Sequence, residues 1–409
     1  MSRLGDHRPL LRRAWTGGAP MTRLERDAVR FGKGLDYDLG KAVHERIEKG
    51  YVSQGGALVG ELMEACLKRG VQLLTNVRGR GLVRNGERIA GVTADTANGP
   101  QTFQAELGVV LASGGFEWNP GLVARFMGHP LPAPGSPPGN EGDGLLMAME
   151  VGAALGNVGE AWWNLMYQVP GDLYDGRQLS RPTSDVRGLP GMILVNRRGR
   201  RFVDEAMNYN DLGKALLVFD PVAYEYQNLP AFMLFDEEFR RSYTFAFGMV
   251  SPNGADPNWL FVGDTLDEAA EEAGIDPEGL KAQVTEFNAF AVEGSDPVFH
   301  RGETSYDRYR GDPKRPTNPN LRPLGDGPYY IVPLQLGCFG TKGGPVIDED
   351  GHVLDVRDRP IPGLYAVGNV TSSVFGPGYP GAGATLGAGL TYGYLAGRAL
   401  AAERATVAE

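Results

Sequence analysis

Apolar positions along this chain change their period several times, and each change marks an element. From Gln54 to Gly70, Leu58, Val59, Leu62, Met63 and Cys66 return at helical spacing, which predicts an amphipathic helix stopped by Gly70. A short strand is expected over Val71-Gln-Leu-Leu74. Alternation then takes over: Arg80–Arg84 and Arg88–Ala94 flank Asn85-Gly86, a type I′ hairpin signal, and Thr102–Glu106 is expected to pair nearby. Gly108-Val-Val-Leu-Ala-Ser-Gly-Gly115 is a continuous apolar run ending in a glycine turn. Read alone, it fits a core strand with a tight turn as well as a parallel strand whose carboxyl end meets a ligand.

Leu131-Pro-Ala-Pro-Gly-Ser-Pro-Pro138 reads as a rigid loop, and Asn140-Glu-Gly-Asp-Gly144 opens a helix running to Ala154, with Asp143 as its N-cap. Residues 1–50 mix arginine and aspartate without a clear period, so irregular segments and one short helix are expected there. Between about 160 and 335 the pattern shifts to aromatic-rich segments such as Glu160-Ala-Trp-Trp163, charged helices such as Asp276–Val292, and proline-broken loops. Val346-Ile-Asp-Glu-Asp-Gly-His-Val-Leu354 predicts a hairpin with an Asp-Gly turn, Gly363–Gly368 a buried strand, and Ala384–Ala402 a closing helix. No internal repeat is evident.

With 409 residues the chain can bury a large core divided over two or three domains. Its 59 glycines and 29 prolines exceed the usual share and imply many tight turns. A formal charge of -10 disfavours nucleic acid or an anionic membrane surface as a partner. No apolar stretch approaches the roughly 18 residues of a spanning helix, so no integral membrane segment is expected. Two cysteines, Cys66 and Cys338, make neither a disulfide framework nor a structural zinc site and fit a reducing cytoplasm; no metal is expected.

The densest chemistry lies near the C-terminus. Gly363-Leu-Tyr-Ala-Val-Gly-Asn369 ends a strand, a Gly/Pro/Ser loop follows, and Tyr379-Pro-Gly-Ala-Gly-Ala-Thr-Leu-Gly387 heads a helix of small residues. The first N–H groups of a helix lack internal partners and carry the positive end of its dipole, and glycine leaves them uncovered. Proline holds Tyr379 extended. Its hydroxyl and the Gly383 N–H can therefore converge on one carbonyl oxygen, an oxyanion hole; the plainer reading is a tyrosine that caps its loop.

With Cys338-Phe-Gly-Thr-Lys-Gly-Gly344 and Gly199-Arg-Arg-Phe-Val-Asp-Glu205, these segments resemble the fumarate reductase/3-ketosteroid dehydrogenase group of FAD-dependent oxidoreductases, from about residue 50 to the C-terminus. Tyr-Pro-Gly-Ala-Gly-Ala-Thr resembles the ketosteroid branch most. Such families open with a strand, a Gly-x-Gly-x-x-Gly turn and a helix that hold the FAD pyrophosphate. Thr16-Gly-Gly-Ala19 and Phe31-Gly-Lys-Gly34 do not match it, so the chain reads as an N-terminally short version.

The resemblance implies an α/β fold with α+β elements: a Rossmann-like FAD-binding domain, incomplete at its N-terminus, with an inserted substrate cap. The expected division is 1–160 and 336–409 for the FAD side and 161–335 for the cap. It implies FAD contacts at Val77, Ser113, Gly114, Gly368, Asn369, Ala384, Thr385 and Leu386. Tyr379 and Gly383 would bind the ketone, and Tyr209, just after the Arg-Phe-Val-Asp-Glu run, would take the proton. A phenol of ordinary pKa near 10 needs an activated carbon acid for that task; the plainer reading of Tyr209 is a loop tyrosine. An assisting tyrosine has no matching motif here, Tyr37 and Tyr51 being weak candidates.

Dicarboxylate reductases of the group carry a histidine where Cys338-Phe339 stands, and His7, His44, His129, His300 and His352 lie outside the motifs, which argues against a dianionic substrate. Trp162, Trp163, Met166 and Tyr167 fit core packing better than a pocket lining. Asp204 and Glu205 fit a helix-start ion cluster. The implied activity is flavin-dependent dehydrogenation of a hydrophobic, 3-ketosteroid-like ketone at its alpha and beta carbons, with an unidentified electron acceptor. The alternatives are a relative acting on another unsaturated carbonyl compound and a remnant unable to hold FAD.

Overall fold

The computed structural model describes residues 20–31, 34–246, 250–315 and 317–407. Its contacts divide it into two compact units: described residues up to Leu73 with Leu165–Gln335, and Leu74–Asn164 with Leu336 onward. The early glycines of 16–19 and 32–33 and His7 lie outside the described residues. The fold is mixed α/β.

In the unit containing Leu74–Asn164, the strands Arg78–Asn85, Arg88–Thr96 and Gly99–Gln104 form an antiparallel sheet. The hairpin is present, but its two-residue loop is Gly86-Glu87, because Asn85 pairs with Arg88. Positive φ falls on Gly86 alone of the two, the pattern of a type II′ turn. Val71–Leu74 forms no strand and joins no ladder.

A second sheet joins His352–Leu354, Pro360–Ala366 and Val109–Leu111, the last two in parallel with Leu364 opposite Val109. Ile89, Val109, Leu111, Met147, Ala148, Leu364, Ala366 and Val370 share one core cluster with both sheets and the helix Asp143–Glu150. Asp143 is the first residue of that helix and not its cap. Gly142, at a φ of 84°, takes the cap position, which frees the Asp143 carboxylate to pair with Arg78 at 2.7 Å. The last helix runs Ala384–Val407 and exposes Leu386, Leu390 and Tyr394.

In the unit containing Leu165–Gln335, Met192–Asn196 and Ala231–Asp236 pair antiparallel, and Ala231–Asp236 pairs antiparallel with Tyr329–Leu334. Every residue of the first two strands is buried, as a continuous apolar run requires when both faces are covered. The helices Leu266–Ala273 and Pro277–Val292 bring Ala269, Ala270, Leu280, Val284 and Phe287 against them. Burial of a large apolar side chain such as Phe287 contributes about 1.5–3 kcal/mol. Thr265 and Glu268 close a capping box on the shorter helix. Two helices, Arg23–Phe31 and Leu39–Glu48, occupy the stretch where one was expected. The helix Gln54–Lys68 ends just before Gly70, but Leu58, Val59 and Leu62 on its apolar stripe are exposed.

Candidate functional site

The glycine loop before the last helix gathers most of the predicted residues in one unit. Pro360–Ala366 delivers Gly368 and Asn369 into a single 3-10 turn, Gly368–Val370. Asn369 accepts the indole N–H of Trp162 at 2.9 Å. The Trp162 ring meets the ring of Tyr379 edge-on, centroids 4.6 Å apart at 66°. Trp162, Lys342, Gly368, Asn369, Ala388 and Tyr392 line a narrow cleft there.

Gly383 stands immediately before the helix with φ of 98°, a conformation that side chains resist, and nothing lies within 4 Å of where its Cβ would be. Its carbonyl accepts the Gly387 N–H at 2.7 Å, so it occupies the cap position. The helix therefore opens onto bare backbone. Tyr379, Ala384 and Thr385 are half-buried, and Leu386 is exposed.

At the carboxyl end of Val109–Leu111, Ser113 accepts the Gly144 N–H at 3.2 Å. Gly114 has φ of 78°, and a Cβ there would run into Asn140. The buried Glu117 carboxylate just beyond accepts from Ser136 at 2.5 Å, Asn140 at 2.8 Å and the Thr341 backbone at 3.0 Å. Val77 lies half-buried directly before the first strand of the hairpin. Cys338 is fully buried, and burial, then the Glu117 charge, push its thiol well above the ordinary range. It is an inert packing residue.

Tyr209 belongs to the other unit. It is the first residue of the helix Tyr209–Ala215, whose cap, Asn208, accepts the Asp211 N–H, and it is buried. Of Asp204 and Glu205 before it, Asp204 is half-buried and Glu205 fully buried. Fully buried Glu205 accepts from Arg201 at 2.7 and 2.8 Å and from Arg301 at 3.1 Å, and Arg201 also reaches Asp296 at 2.7 Å. Burial alone would raise the Glu205 pKa, but Arg201 and Arg301 hold it below the usual value. Asp204 is raised to about 6, by burial first and then by Asp307.

Arg187, missed in the sequence, is wholly buried; its Nη1 donates to the Glu205 carbonyl, while Nε and Nη2 have no hydrogen-bond partner among the described residues. Burial pushes its pKa down to about 10, and Tyr209 is among the groups that act on its charge. The available signal was an arginine inside the apolar run Val186-Arg187-Gly188-Leu189. Of the assisting candidates, Tyr37 donates its hydroxyl to Glu25, and Tyr51 is exposed. Trp162, Trp163, Met166 and Tyr167 are all buried. Among the described residues no three His, Cys, Asp or Glu side chains cluster as metal ligands, and no helix is long and apolar enough to cross a membrane.

Residues 2–386 match the model of the FAD binding domain family. The chain belongs to that family. FAD is its cofactor; at the start of the last helix no side chain crowds Gly383, while the Ala384 N–H is taken by the Gly381 carbonyl at 3.2 Å. Within the family, the chain is 43% identical over 369 residues to 4-oxocyclohexanecarboxylate 2-dehydrogenase of Sinomonas cyclohexanicum, covering 88% of this chain and 63% of that protein. It is 36% identical over 371 residues to 3-oxosteroid 1-dehydrogenase of Mycolicibacterium smegmatis, covering 87% of this chain and 64% of that protein. The chain thus spans under two thirds of these relatives' lengths. The crystal structure of 3-ketosteroid delta1-dehydrogenase from Sterolibacterium denitrificans, in complex with 1,4-androstadiene-3,17-dione, superposes with a TM-score of 0.87 at 33% identity, over 98% of this chain and 76% of that one.

Proposed function

We propose that this chain carries the ketone-activating part of a flavin-dependent dehydrogenase that forms a carbon-carbon double bond beside a ring ketone. The carrying observation is Tyr379, braced on Trp162 and placed four residues before the uncovered Gly383 N–H at a helix start. In this reading the Tyr379 hydroxyl and the Gly383 N–H donate to the ketone oxygen. Enolate charge growing there is stabilised by donors fixed in advance, so the alpha proton becomes more acidic. Tyr209 accepts that proton, with the buried Arg187 guanidinium favouring the phenolate. FAD, when bound, would supply the two-electron sink for the hydride lost from the beta carbon. Gly368, Asn369, Ala384, Thr385, Leu386, Ser113, Gly114 and Val77 would hold the cofactor on a Rossmann-like FAD side, and residues 161–335 would form the substrate cap; the expected placing of 1–160 wholly on the FAD side departs from the contact division, in which the described residues up to Leu73 go with Leu165–Gln335. A separate acceptor reoxidises the flavin.

The substrate proposed is a 3-ketosteroid-like ketone, a class supported by the two steroid dehydrogenase relatives. A monocyclic oxo-acid is the second reading, favoured by the 43% identity to the 4-oxocyclohexanecarboxylate enzyme. Tyr379→Phe tests the shared step. The variant should bind FAD as the parent does, read by absorbance near 450 nm, and lose about a hundredfold in kcat, the usual cost of one oxyanion donor. Equal turnover by the variant would remove the assignment. Assays on a 3-ketosteroid and on 4-oxocyclohexanecarboxylate separate the two substrate readings.

A further inference from the structure

Lys342 follows the strand Tyr329–Thr341 and is wholly buried, although lysine is seldom so placed without partners. Its ammonium donates to the carbonyl of Gly378 at 2.7 Å and of Gly376 at 3.1 Å. It also lies 4.8 Å from the centre of the Trp162 ring. The Lys342 carbonyl accepts the Ser373 N–H at 2.9 Å, so backbone and side chain both hold the same loop. That loop leads directly into Tyr379, and Trp162 is the ring on which Tyr379 rests. Between them the chain is turn, with Val374 exposed and Phe375 partly exposed, its ring edge-on to Trp162 with centroids 6.0 Å apart. Such a segment keeps one conformation only if something outside it does the holding.

We propose that Lys342 is the positioning residue for Tyr379: one buried cation grips the two carbonyls ahead of the phenol and the aromatic face behind it. This rests on the reading that Tyr379 binds the ketone. The physical argument is that a charge taken out of water must be repaid locally, and here the groups that satisfy it are the ones that fix the phenol's approach. A cation–π contact adds to the grip on Trp162. Removing the ammonium while keeping the stem would leave the loop's carbonyls without their donor and let Tyr379 leave Trp162.

The test has a structural arm and a kinetic arm. In Lys342→Met, amide hydrogen exchange over residues 374–383, followed by mass spectrometry, should quicken about ten- to a hundredfold, the scale of losing hydrogen bonds to a charged donor. Exchange over Met192–Asn196 should stay as it was. Lys342→Gln, which keeps an N–H donor without the charge, should show a smaller rise confined to the same peptide, and it serves if the Met variant does not fold. In the kinetic arm, Tyr379→Phe should cost about a hundredfold in kcat/KM in the parent but under about threefold in the Lys342→Met background, where the phenol is already misplaced. Unchanged exchange in 374–383, a rise spread evenly over the unit, or effects that simply multiply would overturn the proposal. Should Tyr379→Phe leave the parent's turnover intact, the ketone-binding reading falls, while the exchange arm still decides whether Lys342 holds the loop.

Discussion

The surroundings of Tyr209 and of Tyr379 are built on opposite principles. Around Tyr209 the polar groups are buried and mostly paired: Asn208 caps its helix, and Glu205 joins Arg201, Arg301 and, through Arg201, Asp296. Around Tyr379 the chain is glycine and turn, and no side chain crowds Gly383 just before Ala384–Val407. The first environment sets a buried tyrosine at the start of a capped helix, four residues after a carboxylate held in a buried ion network. The second leaves the backbone at Gly383 uncrowded and holds the buried Lys342 ammonium on the loop itself. Stability and binding capacity are thus assigned to different segments, as expected when a ligand site must not satisfy itself beforehand.

Substitutions can break this contrast. The largest effect should come from Glu205→Ala, which leaves Arg201 and Arg301 buried without their shared carboxylate; a loss of about 3–5 kcal/mol in urea or guanidinium unfolding is expected. A loss below about 1 kcal/mol would mean that the network is less desolvated than its burial indicates.

Gly383→Ala should cost less, about 1–3 kcal/mol locally, because its φ of 98° strains any side chain although the space around it is open. Exchange at 381–387 should rise while the unfolding midpoint of the Tyr209 unit stays put. A shift of that midpoint would show that the glycine turn carries global stability after all.

The smallest effect is a pH dependence. Asp204 is raised from 3.8 to about 6, burial being the largest cause, so the folded protein holds this proton more tightly than the unfolded chain. The stabilisation is fully present below the unfolded pKa and is lost as pH rises through about 6. Asp204→Asn keeps the acceptor for the Ala206 N–H and cannot ionise. Its thermal midpoint should therefore gain on the parent's as pH is raised from about 4.5 to about 7.5, and an unchanged gap across that range would contradict the shift.

Much of the fold was legible because it depends on local chemistry. Pro277 after Asp276 and the period of Leu280, Val284 and Phe287 specify a helix wherever they occur, and the helix Pro277–Val292 follows. Val109–Leu111 and Pro360–Ala366 were likewise readable as strands, though not as parallel neighbours, and Val110 is exposed where a buried strand was expected. Val71–Leu74 misled because a short apolar run carries no partner with it, and a strand exists only through its ladder. The hairpin was right in place and wrong in register by one residue, since turn type is settled by pairing along both strands.

By itself the sequence determined the Tyr-Pro-Gly-Ala-Gly turn, the small-residue helix after it and therefore a helix start that no side chain crowds, because glycine, proline and helix ends act within a few residues. Only the tertiary structure decided that Trp162 lies against Tyr379, that Lys342 reaches the carbonyls ahead of it, and that Arg187 is buried beside the Glu205 carbonyl. Those contacts join residues far apart in the chain, and the cost of burying a charge or an indole is known only once its neighbours are in place.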